Sequence, residues 1–217
     1  MVDREARYLI PDWDDPLPRA FYDRPVAQVA RDLLGCRLGH RTPEGDRVGR
    51  IVETEAYGAR DPASHSYRGP TDRNRSMFRS PGTLYVYRIH QVHCANAVTR
   101  RGEAVLFRAL APLSPALGDS RGPGRLCRAL GLARSDDGAD LTRSIVRILP
   151  RSSPTGPVVA SPRVGIRRAT DRAWRFAVLG DPFVSFPRPW RRSPEERAAQ
   201  RPGPGRTTAA GRAVTGS

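Results

Sequence analysis

The chain has 217 residues, 38% of them hydrophobic, and a net charge of +15 with a pI near 11.2. That is enough chain for one domain with its own core and hardly enough for two. Cys36, Cys94 and Cys127 are scattered without CxxC spacing, which excludes a disulfide framework and points to reduced thiols in a cytoplasmic protein. All positive side chains are arginines, for the sequence holds no lysine. Arginine binds phosphate through a planar fork and stacks on bases, so a polyanionic partner is expected, nucleic acid first among them. No apolar run approaches membrane-spanning length, and the opening MVDREARYLIPDWDD lacks the basic-then-apolar pattern of a signal peptide.

Residues 1–20 mix acids, prolines and a few aromatics and read as a loosely ordered arm. Asp23-Arg24-Pro25 offers a cap and an early proline to a helix carrying Val26, Val29, Ala30, Leu33 and Leu34, with Gly35 to end it. Strands are predicted over 36–42 and 47–57, around a turn at 42–46. Leu84–Ile89 and Val92–Thr99 read as a hairpin and Ala104–Leu110 as a further strand. Gly122-Pro123-Gly124 opens a short helix that Gly131 closes. Later strands are predicted near 144–149, 158–166 and 174–179. From Pro187 to Ser217 the chain has five prolines, four glycines and seven arginines against two glutamates. This segment is expected to be a disordered basic tail. Residues 21–186 then form a single mixed α+β domain of mostly antiparallel strands with short flanking helices.

The stretch Arg50–Tyr87 concentrates the chemistry. Residues of like parity share a strand face, so Glu53, Glu55 and Tyr57 point one way, and Tyr85 and Tyr87 share a face beyond the loop. On a solvent face the glutamates are ordinary. In a cleft, a carboxylate beside aromatic rings suits acid–base work. The loop over 58–82 is too long for a plain connection, and it carries His65, Asn74 and the cluster Arg68, Arg73, Arg75 and Arg79. Gly124 at a helix start could offer free N–H groups to a phosphate. His90, His93 and Cys94 form no metal set, because a strand sends His90 and His93 to opposite faces.

In order along the chain, RIVETEAY at 50–57, ASHSYRG at 63–69, DRNRSMF at 72–78, PGTLYVY at 81–87, VLFRAL at 105–110, GPGRLCRAL at 122–130 and PRVGI at 162–166 are similar to strings of the alkyladenine (3-methyladenine) DNA glycosylases of the methylpurine type. The resemblance runs from about Tyr22 to Ser185. It implies a domain around a curved antiparallel sheet, with a protruding hairpin that enters the DNA minor groove. It implies Glu55 as the general base, with Arg108 and the Val164 carbonyl helping to place the attacking water. It also implies Tyr57, His65 and Tyr87 sandwiching a flipped base, and Asn96 as a gate against wrong exocyclic groups; Glu53 is left structural. Arg73, Arg75 and Gly124 are expected at the DNA backbone.

The wedge position differs from the family pattern, in which a tyrosine precedes Gly-Met. Here the string is His90-Gln91-Val92, and the segment from His93 to Asn96 is one residue shorter. The expected protein is a monomeric, nucleoid-associated bacterial enzyme acting on duplex DNA with damaged purines, without metal or other cofactor. With no lysine to form a Schiff base, a monofunctional, water-using route is expected. The alternative is a non-catalytic DNA binder on the same fold, with the altered hairpin marking lost flipping.

Overall fold

The computed structural model describes residues 13–189. The expectations for residues 1–12 and 190–217 lie outside the described residues. Trp13 and Leu17 are buried, and the Leu17 N–H donates to the Ile148 carbonyl at 2.8 Å. A single turn, α1 (Arg19–Tyr22), precedes α2 (Val26–Asp32). Pro25, not Asp23, occupies the cap position of α2, and no side chain caps it. The helix ends at Asp32, and Gly35 turns the chain toward the sheet with a φ of +86° that an L side chain rarely adopts.

The sheet is one antiparallel, curved layer of β1 (Arg37–Thr42), β2 (Gly45–Tyr57), β3 (Leu84–Ile89), β4 (Val92–Val98), β5 (Ala104–Pro112), β6 (Val146–Leu149), β7 (Val158–Ser161) and β8 (Arg175–Val178). Its order is β3-β4-β5-β2-β1-β6, with β8 also on β2 and β7 on β8. The strand predicted over 158–166 stops at Ser161. Pro162 has no N–H to continue a ladder, and Arg163 is buried against a different part of the chain.

The 13-residue β2 is the spine of the sheet. Its first half pairs with β1 and residues Glu53–Glu55 pair with β8, while β5 follows it along the other side. The change of neighbour coincides with two register shifts. Ile51 faces Leu110 and Glu53 faces Ala109, so Val52 is an extra residue on β2; Thr54 then faces Phe107, so Arg108 is an extra residue on β5. Bulges of this kind bend a strand and re-aim a side chain.

The main core lies on the face covered by α2 and α3 (Pro123–Leu130), where Val29, Leu33, Leu34, Leu126 and Leu130 meet Ile51, Leu84, Val86, Ala95, Ala97 and Phe107. The Thr54 hydroxyl ties β2 to α2 by donating to the Ala30 carbonyl at 2.8 Å. On the opposite face, residues of the other parity, Tyr85 and Val98, pack with Met77, Ala104, Phe78 and Tyr87. The loop over 58–82 is built on that second face. Packing in the spine is close at Gly49, where a Cβ would lie 2.7 Å from side-chain carbons of both Leu110 and Leu117. Gly49→Ala is expected to cost about 1–3 kcal/mol, read as a lower urea midpoint with an unchanged m-value.

Candidate active site

Glu55 of β2 is fully buried, yet both of its oxygens are engaged by polar groups from three directions. Oε1 accepts the Val164 N–H at 2.8 Å and lies 3.2 Å from Nη1 of Arg108, while Oε2 accepts the Tyr57 hydroxyl at 2.8 Å. A carboxylate has about four lone-pair sites, so these three donors leave one for a further donor such as a water. Burial opposes the charge on Arg108, but Glu55 and then Glu53 outweigh it and hold the guanidinium above its ordinary range. Tyr57 is pushed up by burial and then by the Glu55 charge, and so remains a donor.

Glu55 forms the floor of a cavity of about 450 Å³ whose lining includes Tyr57, His65, Tyr87, Asn96, Arg108 and Val164. Met77, Ala104 and Leu106 complete its apolar side. His65 and Tyr87 meet edge to face with centroids 4.4 Å apart. A flat ring therefore has no room between those two. Tyr57 and the His65–Tyr87 pair all line the cavity. His65 Nδ1 is 3.0 Å from the Tyr85 hydroxyl, and burial followed by the Arg73 charge lowers its proton affinity, so the imidazole is neutral near pH 7.

The loop that carries His65 is pinned by side chains. Asn74 accepts the Thr71 N–H at 2.6 Å and donates to the carbonyls of His65 and Gly69 at 2.8 and 3.1 Å. Ser66 donates to Gly102 at 2.6 Å. At the base of the loop, buried Asp61 is paired with buried Arg163, which also donates to the Ala56 carbonyl at 2.9 Å. The Arg163 guanidinium stacks 4.6 Å from the Tyr57 ring centroid and 5.5 Å from that of Trp174. It thus backs the Tyr57 ring and fixes the segment that brings the Val164 amide to Glu55.

The remaining predicted residues fall in three places. Asn96 stands opposite Tyr85, and its Nδ2 donates to the Tyr85 carbonyl at 3.0 Å with the side chain toward the cavity. His90 is exposed at the first position of the two-residue β3–β4 connection, with a φ of +50°. Arg88 braces that tip by donating to the His90 carbonyl at 3.2 Å and to Gln91 at 3.0 Å. Arg73 lines an adjoining cavity of about 570 Å³ with Arg68, Arg88, Arg134 and Arg168, beyond the His65 wall. Arg75 is exposed in a 3₁₀ turn, Arg75–Phe78. Gly124 lies against the hairpin, where a Cβ would come within 2.9 Å of Val92.

The profile of the family Methylpurine-DNA glycosylase (MPG) matches residues 20–182. The chain belongs to the methylpurine-DNA glycosylase family. Among similar proteins, one from Methanoculleus marisnigri is 44% identical over 192 residues, covering 78% of this chain and 98% of that protein. Another from Rhizobium etli is 44% identical over 182 residues, covering 78% and 88%. A third, from Anaeromyxobacter dehalogenans, is 46% identical over 182 residues, covering 80% and 87%. All three are provisionally named 3-methyladenine DNA glycosylases. No helix among the described residues is long and apolar enough to cross a membrane.

Sequence reasoning missed two supports that this member of the methylpurine-DNA glycosylase family displays. Tyr85, which shares parity with Tyr87, anchors His65, and that parity was the signal for it. The Asp61–Arg163 pair spans 102 positions and left no local pattern. Arg163→Met strands Asp61 as a buried charge and is expected to cost about 3–5 kcal/mol. Adding Asp61→Asn is expected to restore much of that loss, and a double-mutant cycle on chemical unfolding measures the coupling.

Proposed function

We propose that this protein is a monofunctional DNA glycosylase that flips damaged purines out of duplex DNA and hydrolyses their N-glycosyl bond with an activated water. The observation that carries the reading is the buried Glu55 carboxylate, held by Arg108, Tyr57 and Val164 at the floor of an aromatic slot. Tyr57 stacks on one face of the flipped base and the His65–Tyr87 pair on the other, each good stack returning on the order of 1–3 kcal/mol. This offsets part of the few kcal/mol that extrusion costs, a cost smallest at damaged pairs.

Glu55 takes a proton from the water as its oxygen bonds to C1′ of the sugar. The C1′–N bond breaks and its electron pair leaves with the base. Alkylation at N3 or N7 gives the purine a positive charge, so that pair is accepted without a proton donor. The products are a free base and an abasic site. Arg108 and the Val164 carbonyl flank the water, and Asn96 screens the purine's exocyclic group. The neutral His65 adds no charge to repel a cationic base. The absence of lysine supports hydrolysis over a Schiff-base route. Substrates of this reading are 3-methyladenine, 7-methylguanine, hypoxanthine and ethenoadenine.

The exposed hairpin tip is the wedge of this reading, with His90 filling the space that the flipped nucleotide leaves. Arg73 and the arginines beside it, together with Arg75 and the α3 N-terminus at Gly124, meet the phosphates, so binding weakens steeply with salt. Duplexes carrying each lesion test the activity. The parent is expected to excise at least one of them, and Glu55→Gln to abolish excision while still binding lesion duplex. Excision of none of the four would leave a DNA-binding role for the same fold. His90→Ala is expected to weaken lesion-duplex binding by about tenfold, with single-turnover cleavage at saturation changed less. Unchanged affinity in a fluorescence titration would remove His90 from the wedge.

A further inference from the structure

Glu53 is fully buried and holds more than a structural carboxylate needs. Its Oε1 accepts Nε of Arg108 at 2.9 Å, Nε of Arg175 at 2.7 Å and the Ser185 hydroxyl at 3.0 Å. Its Oε2 accepts the Ser185 N–H at 2.7 Å. The donors come from β5, from β8 and from the segment that follows β8. Arg108 is therefore gripped through Nε by one carboxylate while its Nη1 faces the other, Glu55, at 3.2 Å. Arg108 is the extra residue of the β5 bulge, and its one guanidinium meets both. Glu53, Glu55, Arg108 and Arg175 are all buried and sum to zero charge. The other groups facing Glu55 and its partners are Tyr57 on β2, Cys94 beside Arg108 on β4, and Arg163 behind Tyr57.

We propose that Glu53 is a positioning residue for base excision: it fixes Arg108 in place and takes up part of the Arg108 charge, so that Glu55 remains free to draw a proton from water. The proposal rests on the reading of Glu55 as the general base. The sign follows from the charges. With Glu53 neutral, the undivided charge of Arg108 falls on Glu55, which then holds a proton less well and is the weaker base. With Arg175 neutral, Glu53 leans on Arg108 alone and Glu55 is less compensated, so the effect reverses.

The test is the pH dependence of single-turnover excision by the full chain on a saturating duplex carrying 7-methylguanine. The fixed charge on that base removes the need for a proton donor, so the acid limb of the rate profile reads the general base. Glu53→Gln is expected to lower the plateau rate about tenfold and to move the acid limb down by about one pH unit. Arg175→Gln, which keeps an amide donor, is expected to move the limb up, and lesion-duplex affinity is expected to change little in either. Acid limbs that stay in place in folded Glu53→Gln and Arg175→Gln proteins would overturn the proposal. Should Glu53→Gln fail to fold, an unmoved limb in Arg175→Gln overturns it alone. Turnover retained in Glu55→Gln would instead remove the general base itself, which separates the two failures.

Discussion

The site depends on one arginine held between two carboxylates. A regular strand pairing would set Arg108 directly opposite one β2 residue, with the second carboxylate only at a diagonal. Two compensating bulges, one on β2 and one on β5, free it from that pairing and then restore the register, so that Glu55 still faces Leu106 and Tyr57 still faces Ala104. Everything nearby follows this placement. β8 must lie against Glu53–Glu55 to bring Arg175 in, and the chain after β8 must fold back to bring in Ser185. The curvature of the sheet and the chemistry of its centre share one cause.

The arginine-only composition has an interior counterpart. Arg108, Arg163 and Arg175 are buried, and each spreads several donors over a carboxylate and over other acceptors. A lysine offers a compact charge without the fork, and could not hold Glu53 with one edge and Glu55 with the next. Burying charges is expensive even when they are paired, and hydrophobic replacements of similar volume are often as stable. All three cluster around Glu53, Glu55 and Tyr57. Arg163 shows the same logic from behind, fixing a ring and a loop through a single planar group.

Much of this was legible in the sequence, and for a simple reason. Period-two alternation in RIVETEAY puts Glu53, Glu55 and Tyr57 on one side, and in the fold Glu53 and Glu55 both meet Arg108 while Tyr57 donates to Glu55. LYVY likewise predicts that Tyr85 and Tyr87 share a face. The long loop was recognisable as special, but not the way it is held: Asn74 staples the backbone around His65. Besides the cap of α2, the strand predicted through 162–166 failed, where an extended apolar pattern hides a turn set by Pro162 and by the distant Asp61. Bulges have no composition signature, so the joint hold on Arg108 by Glu53 and Glu55 appears only in three dimensions. Arg108 and Val164, named from the resemblance for placing the water, both touch Glu55, but Val164 does so through its amide N–H and not through the carbonyl that the resemblance implies.

The link between Ser185 and Glu53 bridges 132 positions, and it bears on how the protein is made. During synthesis Glu53 leaves the ribosome long before Arg108, and Arg175 and Ser185 come later still. Until that last segment docks, the centre lacks two of the groups that hold its first carboxylate, and Glu55 lacks the settled arginine beside it. Assembly of this buried carboxylate–arginine cluster is thus tied to completion of the fold. A partly made chain can expose its basic surface before the cluster around Glu55 is complete.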